Sequence, residues 1–193
     1  NLSNLGSAAK PFAFNPRLTS GWDAGFHSFD IYKYKLDKVR FFQTTRPYSE
    51  LGYMLGSRAE QIIHLLHTQN IKPNWNFAFQ YGLINAPGFF KNQNTNHNRY
   101  SFNSDYHSKN RRYSLYFIWM GNSMVANENG GIKSDKDYIN DLVTYKERST
   151  IPVQLGNYVQ AGQSFLNSKL NTGNSQKERT FFIRQQYDLG RRD

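Results

Sequence analysis

Five histidines, at positions 27, 64, 67, 97 and 107, are the residues with the clearest chemical potential. His64 and His67 are the closest pair. On a helix a spacing of three puts two ligands on one face, but on a strand it puts them on opposite faces, where they cannot share a metal. Their surroundings read as a strand, so no metal site is expected. Glu50, Glu60 and Asp105 supply carboxylates, but no spacing pairs them as acid and base. The chain has no cysteine, which removes disulfides and thiolate ligands. Asn129-Gly130-Gly131 is a turn signal inside a polar stretch rather than a phosphate loop, and no Gly-x-Ser-x-Gly elbow occurs. Lys109, Arg111 and Arg112 beside Tyr113 imitate an aromatic and basic nucleic-acid surface. On a strand, however, Arg112 and Tyr113 point to opposite faces, and the net charge of +10 is spread along the chain. The expectation is no enzyme, no cofactor and no nucleic-acid partner.

The elements behind these residues are strands. Trp75 to Leu83 separates by parity. Trp75, Phe77, Phe79, Tyr81 and Leu83 are apolar or aromatic; Asn76, Ala78, Gln80 and Gly82 are polar or small. A period of two is the strand signal. Aromatics make up 16% of residues while mean hydropathy is polar at −0.75, which suits alternating strands better than greasy helices. No apolar run approaches the roughly 20 residues of a spanning helix. A membrane reading therefore requires a closed barrel.

In chain order, residues 1–25 carry glycines and prolines and read as an irregular lead-in. Phe29 and Ile31 alternate with Asp30 and Tyr32, predicting a strand over about 26–34, a turn at 35–38 and a return from Val39. Strand patterns follow over 48–55, 60–70 and 75–83, then 99–109, 112–119 and 180–189. About eight strands are expected. Connections at 70–74 and 108–111 are short; those at 85–98 and 122–177 are long and fall on the other side. The short Gly56–Arg58 turn breaks that rule. Within the 122–177 insertion, Ser134 and Asp137 resemble a capping box before Tyr138, Ile139, Leu142 and Val143 at helical spacing. Val159, Phe165 and Leu166 allow a second short helix.

Several stretches together resemble one family. They are Asn4-Leu5-Gly6-Ser7, Phe29-Asp30-Ile31-Tyr32, Arg46-Pro47-Tyr48-Ser49-Glu50-Leu51, Gly56-Ser57-Arg58-Ala59-Glu60-Gln61, Gly88-Phe89-Phe90-Lys91-Asn92-Gln93, Ser108-Lys109-Asn110-Arg111-Arg112-Tyr113, Glu128-Asn129-Gly130-Gly131-Ile132 and Glu178-Arg179-Thr180-Phe181-Phe182. In this order they resemble the large putative porins of Bacteroidota. The resemblance implies an outer-membrane β-barrel of which this chain would be the N-terminal part. It supplies no catalytic or ligand residues. The chain begins at Asn1 without a signal peptide and ends at Asp193 without an aromatic-tipped strand, so a trimmed piece is expected, with further strands of the same barrel beyond Asp193.

These readings converge on an all-β antiparallel meander, residues 26–193, forming part or all of a transmembrane outer-membrane barrel with long loops on one side. The lipid face is expected to hold Leu51, Tyr53, Leu55, Trp75, Phe77, Phe79, Tyr81, Tyr100, Phe102, Tyr113, Leu115, Phe117, Trp119, Phe181, Ile183 and Leu189. The lumen face is expected to hold Glu50, Asn76, Gln80, Arg99, Asn103, Asp105, Arg112, Arg184 and Asp188. Passive diffusion of small polar solutes is the expected activity and outer-membrane lipid the expected surrounding. One alternative is a non-conducting barrel that binds other envelope proteins. Another is a soluble β-sandwich with the aromatic face as its core.

Overall fold

The computed structural model describes residues 4–13, 16, 21–23, 25–156 and 172–190. Six antiparallel strands form one meander in the order β1-β2-β3-β4-β5-β6. They are β1 (Tyr48–Leu55), β2 (Gln61–Lys72), β3 (Trp75–Ala86), β4 (Thr95–His107), β5 (Tyr113–Asn127) and β6 (Gly173–Tyr187). Each strand pairs with the next in sequence, so β1 and β6 are the two open edges. Among the described residues no helix is long and apolar enough to cross a membrane.

Turn chemistry sets the register. The β2–β3 connection is Pro73-Asn74, with a register shift between Asn70 and Lys72. Asn74 then ties this turn to the next hairpin: its carbonyl accepts from His107 N–H and its amide donates to the His107 carbonyl. The β4–β5 turn places Arg111 at φ 52, and Ser108 Oγ caps it by accepting from Tyr113 N–H at 2.9 Å. These two short turns share one end of the sheet. The connections 56–60, 87–94 and 128–172 share the other.

Residues 26–34 are not a strand. They form a 3₁₀ turn (Asp30–Tyr32), and a second one follows (Leu36–Lys38). The period-two reading failed because the buried pair is Phe29 and Tyr32, at 4% and 8% exposure, whereas Ile31 is 64% exposed. Three is the 3₁₀ period. Among the described residues the first strand begins only at Tyr48, and six strands stand where about eight were expected. The insertion is also shorter than read. β5 runs on to Asn127 and β6 begins at Gly173, because Asn122 to Asn127 pair residue by residue with Glu178 back to Gly173. Its expected first helix is absent. Asp137 and Asp141 cap local turns at Asn140 and Thr144, and Tyr138 bonds back to Asp135. Ile151 and Val153 are buried, and Val153 bridges Ile132. The second helix, at Val159, Phe165 and Leu166, lies outside the described residues.

The hydrophobic core is not where a sandwich would put it. Phe29, Tyr32, Ile84, Met124 and Ala126 cluster on the face opposite the aromatic one, with Leu5, Ala8 and Ile62 packed around them. The described strands form one sheet, and the aromatic face stays open towards β6, where Phe181 is 67% exposed and Trp119 39%, while Leu83 at its upper end on β3 is fully buried. The soluble-sandwich alternative needs that face to be the core, and it is not.

Candidate lumen face

Strand register assigns every side chain in the sheet to a face. One rung reads Ser49, His67, Phe79, Phe102, Trp119 and Phe181 from β1 to β6. The aromatic face therefore carries Leu51, Tyr53, Leu55, Trp75, Phe77, Phe79, Tyr81, Tyr100, Phe102, Tyr113, Leu115, Phe117, Trp119, Phe181 and Ile183 together; Leu189 lies past the end of β6. Rings on it meet in a chain. Phe77 stacks on Phe102 at 6.2 Å between centroids, Phe102 meets Phe117 edge-on at 6.1 Å, and Trp119 stacks on Phe181 at 5.8 Å. Gly121 leaves room for the Tyr100 ring, which would sit 2.6 Å from a Cβ there. Ser104 is a small residue among these rings and opens a groove of about 710 Å³ beside Trp75 and Phe117. Its hydroxyl donates to the Asn76 carbonyl and accepts from Trp75 Nε1.

The opposite, polar face carries Glu50, Asn76, Gln80, Arg99, Asn103, Asp105 and Arg184. Arg112 and Asp188 sit just past the ends of β5 and β6, joined by Asp188 N–H to the Arg112 carbonyl at 2.8 Å. His64 falls on the polar face near Glu50, at 4.0 Å. His67 falls on the aromatic face against Ser49, at 2.8 Å. The pair is split, as strand parity requires.

What covers the polar face is chain that precedes β1. Asn4 donates to the Gln93 carbonyl at 2.8 Å, and Thr95 Oγ1 to the Leu5 carbonyl at 2.6 Å. His97 stands between two backbones. Nδ1 accepts from Val125 N–H at 3.2 Å, which makes Nε2 the protonated nitrogen that donates to the Gly6 carbonyl at 2.6 Å. Its ring also meets Phe29 and Tyr32. Further down, Asn122 accepts from Tyr34 N–H at 2.8 Å and donates to the Tyr34 carbonyl at 2.9 Å. One side-chain amide thus supplies both bonds that a neighbouring strand would. Arg99 donates to the Tyr32 carbonyl and lies over the Tyr34 ring at 5.0 Å. Gly82 makes this possible, since a Cβ there would meet Arg99 Nε at 2.4 Å and Tyr34 Oη at 3.1 Å. Lower still, Asn103 donates to the Arg40 carbonyl, Phe41 meets Tyr116 edge-on at 5.3 Å, and Asn70 accepts from Thr44 N–H. From Phe29 to Thr44 the segment descends the polar face from the long-loop end to the short-turn end, and residues 4–9 lie beside its start.

An ionic knot fixes the middle of the segment. Lys33 reaches Glu178 of β6 at 2.6 Å and Asp30 at 3.3 Å. Asp30 also meets His27 at 3.2 Å and Lys35 at 3.4 Å. Burial raises the Asp30 carboxyl, but hydrogen bonds from Lys33 and His27 and the charges of Lys35 and Lys33 outweigh it, so it ends below its ordinary value. Burial likewise opposes the Lys33 charge, and Glu178 and Asp30 together hold its ammonium above the usual range. A carboxyl depressed in the folded state contributes stability that is whole above its unfolded pKa, about 3.9, and is lost as pH falls through the folded value. Acidification below about pH 4 is therefore expected to loosen this segment before the sheet. Amide exchange at Lys33, corrected for its intrinsic rate, should accelerate there; unchanged protection would remove Asp30 from the account.

Sequence reasoning placed the strand residues on their faces but missed those that seat the segment: Asn4, Thr95, His97, Asn122, Tyr34 and Arg40. The available signal was polar side chains at inward parity in strands rich in asparagine. Asn76, Asn103 and Asn122 are buried at 2%, 1% and 4% exposure, and buried amides require partners.

A family model described as putative porin matches residues 1–193. The chain belongs to this putative porin family. No curated protein and no solved structure matches it. Membership accords with the antiparallel meander and supports a porin-like outer-membrane protein in general terms. In this family member the strand residues expected to line the pore are, over most of β3 to β5, covered by the N-terminal segment.

Proposed function

We propose that this chain forms a wall of an outer-membrane β-barrel through which small polar solutes diffuse passively, with its aromatic face in lipid. The observation that carries the reading is the slant of the apolar band. On the rung Tyr53, Ile63, Leu83, Asn98, Ser123, Lys177, the first three residues are apolar and the last three polar. Two rungs lower, at Ser49, His67, Phe79, Phe102, Trp119, Phe181, the order reverses. The upper limit of the band climbs from Phe181 on β6 through Tyr100 on β4 and Leu83 on β3 to Leu55 on β1. That rise is three rungs, about 20 Å of strand, across five strand spacings, about 24 Å. The slope is about 40°, which is the tilt of strands in transmembrane barrels. A belt level with a membrane must cross tilted strands at this angle, whereas the core of a sandwich has no reason to.

A girdle supports the same orientation. Trp75 pairs with Tyr106 and Tyr113 with Tyr187 on the aromatic face at the short-turn end, where interfacial aromatics belong. The groove beside Trp75 and the exposed ring of Phe181 are then filled by outer-membrane lipid, and the open edges of β1 and β6 by further strands of the barrel.

Fractionation of the native envelope tests the proposal. Recovery in the outer membrane is expected, with faster migration of the unboiled band on a denaturing gel. Recovery in a soluble fraction without a boiling shift would end the reading. One observation favours a second reading, a non-conducting barrel that serves as a scaffold for other envelope proteins: residues 4–9 and 27–44 lie along the polar face. Planar-bilayer recording separates the two, since the first requires steady conductance from the unmodified protein.

A further inference from the structure

We infer that Lys38 and Arg40 of the segment preceding β1, together with Arg184 of β6, form an anion-selecting patch on the pore wall. The inference rests on the pore reading above and adds the charge class of the solute. On β4 and β5 the polar strand residues under the segment cannot select solutes, because they are occupied. Asn103 and Asn122 are buried under the segment, and Arg99 is held by the Tyr32 carbonyl and the Tyr34 ring. The surface left facing away from the sheet belongs to the segment.

On that surface Lys38 is 80% exposed. Arg40 is exposed and makes no ion pair among the described residues, although its carbonyl is bound by Asn103. Phe41 follows and packs on Tyr116, whose register partner on β6 is Arg184, itself exposed. Arg40 and Arg184 thus neighbour one aromatic pair, by chain and by register, and Lys38 lies three residues before Phe41. Asp37 lies 3.9 Å from Lys38 and offsets part of this charge, and Glu50 is exposed on β1 of the same wall. Asp105 stands on the same rung as Tyr116 and Arg184, 3.7 Å from His107, and offsets a further part, and Asp188 lies below the patch; Asp30 and Glu178 sit higher, at the knot with Lys33. Arg40 lies at the Asn103 rung, whose neighbours Ala78 and Ile118 back directly onto Phe79 and Trp119 of the apolar band. The patch is thus at membrane depth, where low-dielectric walls focus the field of fixed charges. Lysine and arginine lining a pore favour anions for this reason.

Two measurements on the full chain in membranes test this. In planar bilayers under a potassium chloride gradient, the wild-type reversal potential is expected to have the sign of chloride preference, and the triple variant K38E/R40E/R184E to invert it. The same sign in both proteins overturns the inference while leaving the pore reading intact. The second measurement needs no conductance. The protein lacks cysteine, so Gln43→Cys, exposed beside the patch, introduces a single thiol. An anionic thiosulfonate should modify it about tenfold faster than a cationic one of equal size, and K38E/R184E should invert that order. Equal rates overturn the inference whether or not the barrel conducts. Absence of conductance together with the rate preference would overturn the pore reading and leave the anion-attracting patch in place.

Discussion

Arginine at Phe79 is expected to keep the protein out of the membrane. Phe79 occupies the middle of the apolar band, flanked on its rung by His67 and Phe102. A lipid-facing arginine at mid-bilayer costs about 2–4 kcal/mol, or roughly 30- to 700-fold in the assembly equilibrium. The control is arginine at Thr180, which neighbours Phe181 in sequence but faces the polar side opposite Met120. T180R is expected to assemble, because water in the lumen solvates the charge. Boil-dependent gel mobility of purified outer membranes reads both variants. Normal assembly of F79R would show that the aromatic face does not meet lipid, and the slanted band would need another cause. Equal failure of T180R would show that charge alone disrupts the sheet and that the two faces are not distinct.

Replacing Asn122 by leucine is expected to release the N-terminal segment. The amide of Asn122, itself buried, makes two part-buried hydrogen bonds to backbone groups of Tyr34. Leucine keeps the approximate size but leaves both unpaired. Each unsatisfied buried group costs about 1–3 kcal/mol, so the segment should weaken by about 2–6 kcal/mol on the same scale. Its remaining anchors, at His97, Asn103 and the Lys33 knot, lie above, below and beside this point and do not supply the lost bonds. Trypsin acting on folded protein in detergent should then cut at Lys35, Lys38 and Arg40 far faster than in wild type, while β1 to β6 stay protected. In bilayers the variant should conduct more than wild type. Unchanged tryptic protection would mean that the segment is held elsewhere. Protection lost without a rise in conductance would mean that the segment lines the pore without narrowing it.

The sequence by itself determined the two faces of the sheet. Parity is a local property: once Trp75 to Leu83 is a strand, Phe79 and Gln80 must part, and the same holds at Phe117 and Ile118. The short turns at Pro73-Asn74 and Ser108–Arg111 were likewise visible, because proline and asparagine act on their own backbones. Family membership was legible from the ordered stretches between Asn4 and Phe182. Local pattern failed where structure is set by distant partners. Residues 29–32 alternate like a strand, yet they fold as a 3₁₀ turn because Phe29 and Tyr32 are drawn under His97 and Met124, some 65 to 95 positions away in the chain. The capping pattern at Ser134 to Tyr138 met no apolar surface long enough to hold a helix, and its side chains satisfied local turns instead.

Only the tertiary structure decided what the polar face does. Arg99 and Asn103 read as pore-lining residues, since polar side chains at inward parity are expected to be wet. Both instead bind chain: Arg99 holds Tyr32 and Asn103 holds Arg40, while Asn122, at the same parity, takes the place of a neighbouring strand for Tyr34. No periodicity encodes this, because the partners lie 63 to 88 residues apart and a side-chain amide has the same two groups whether it faces water or a backbone. The sequence set which residues leave the sheet on each side. The folded chain set which of them reach water, and on the polar face those are largely the charges of the segment before β1.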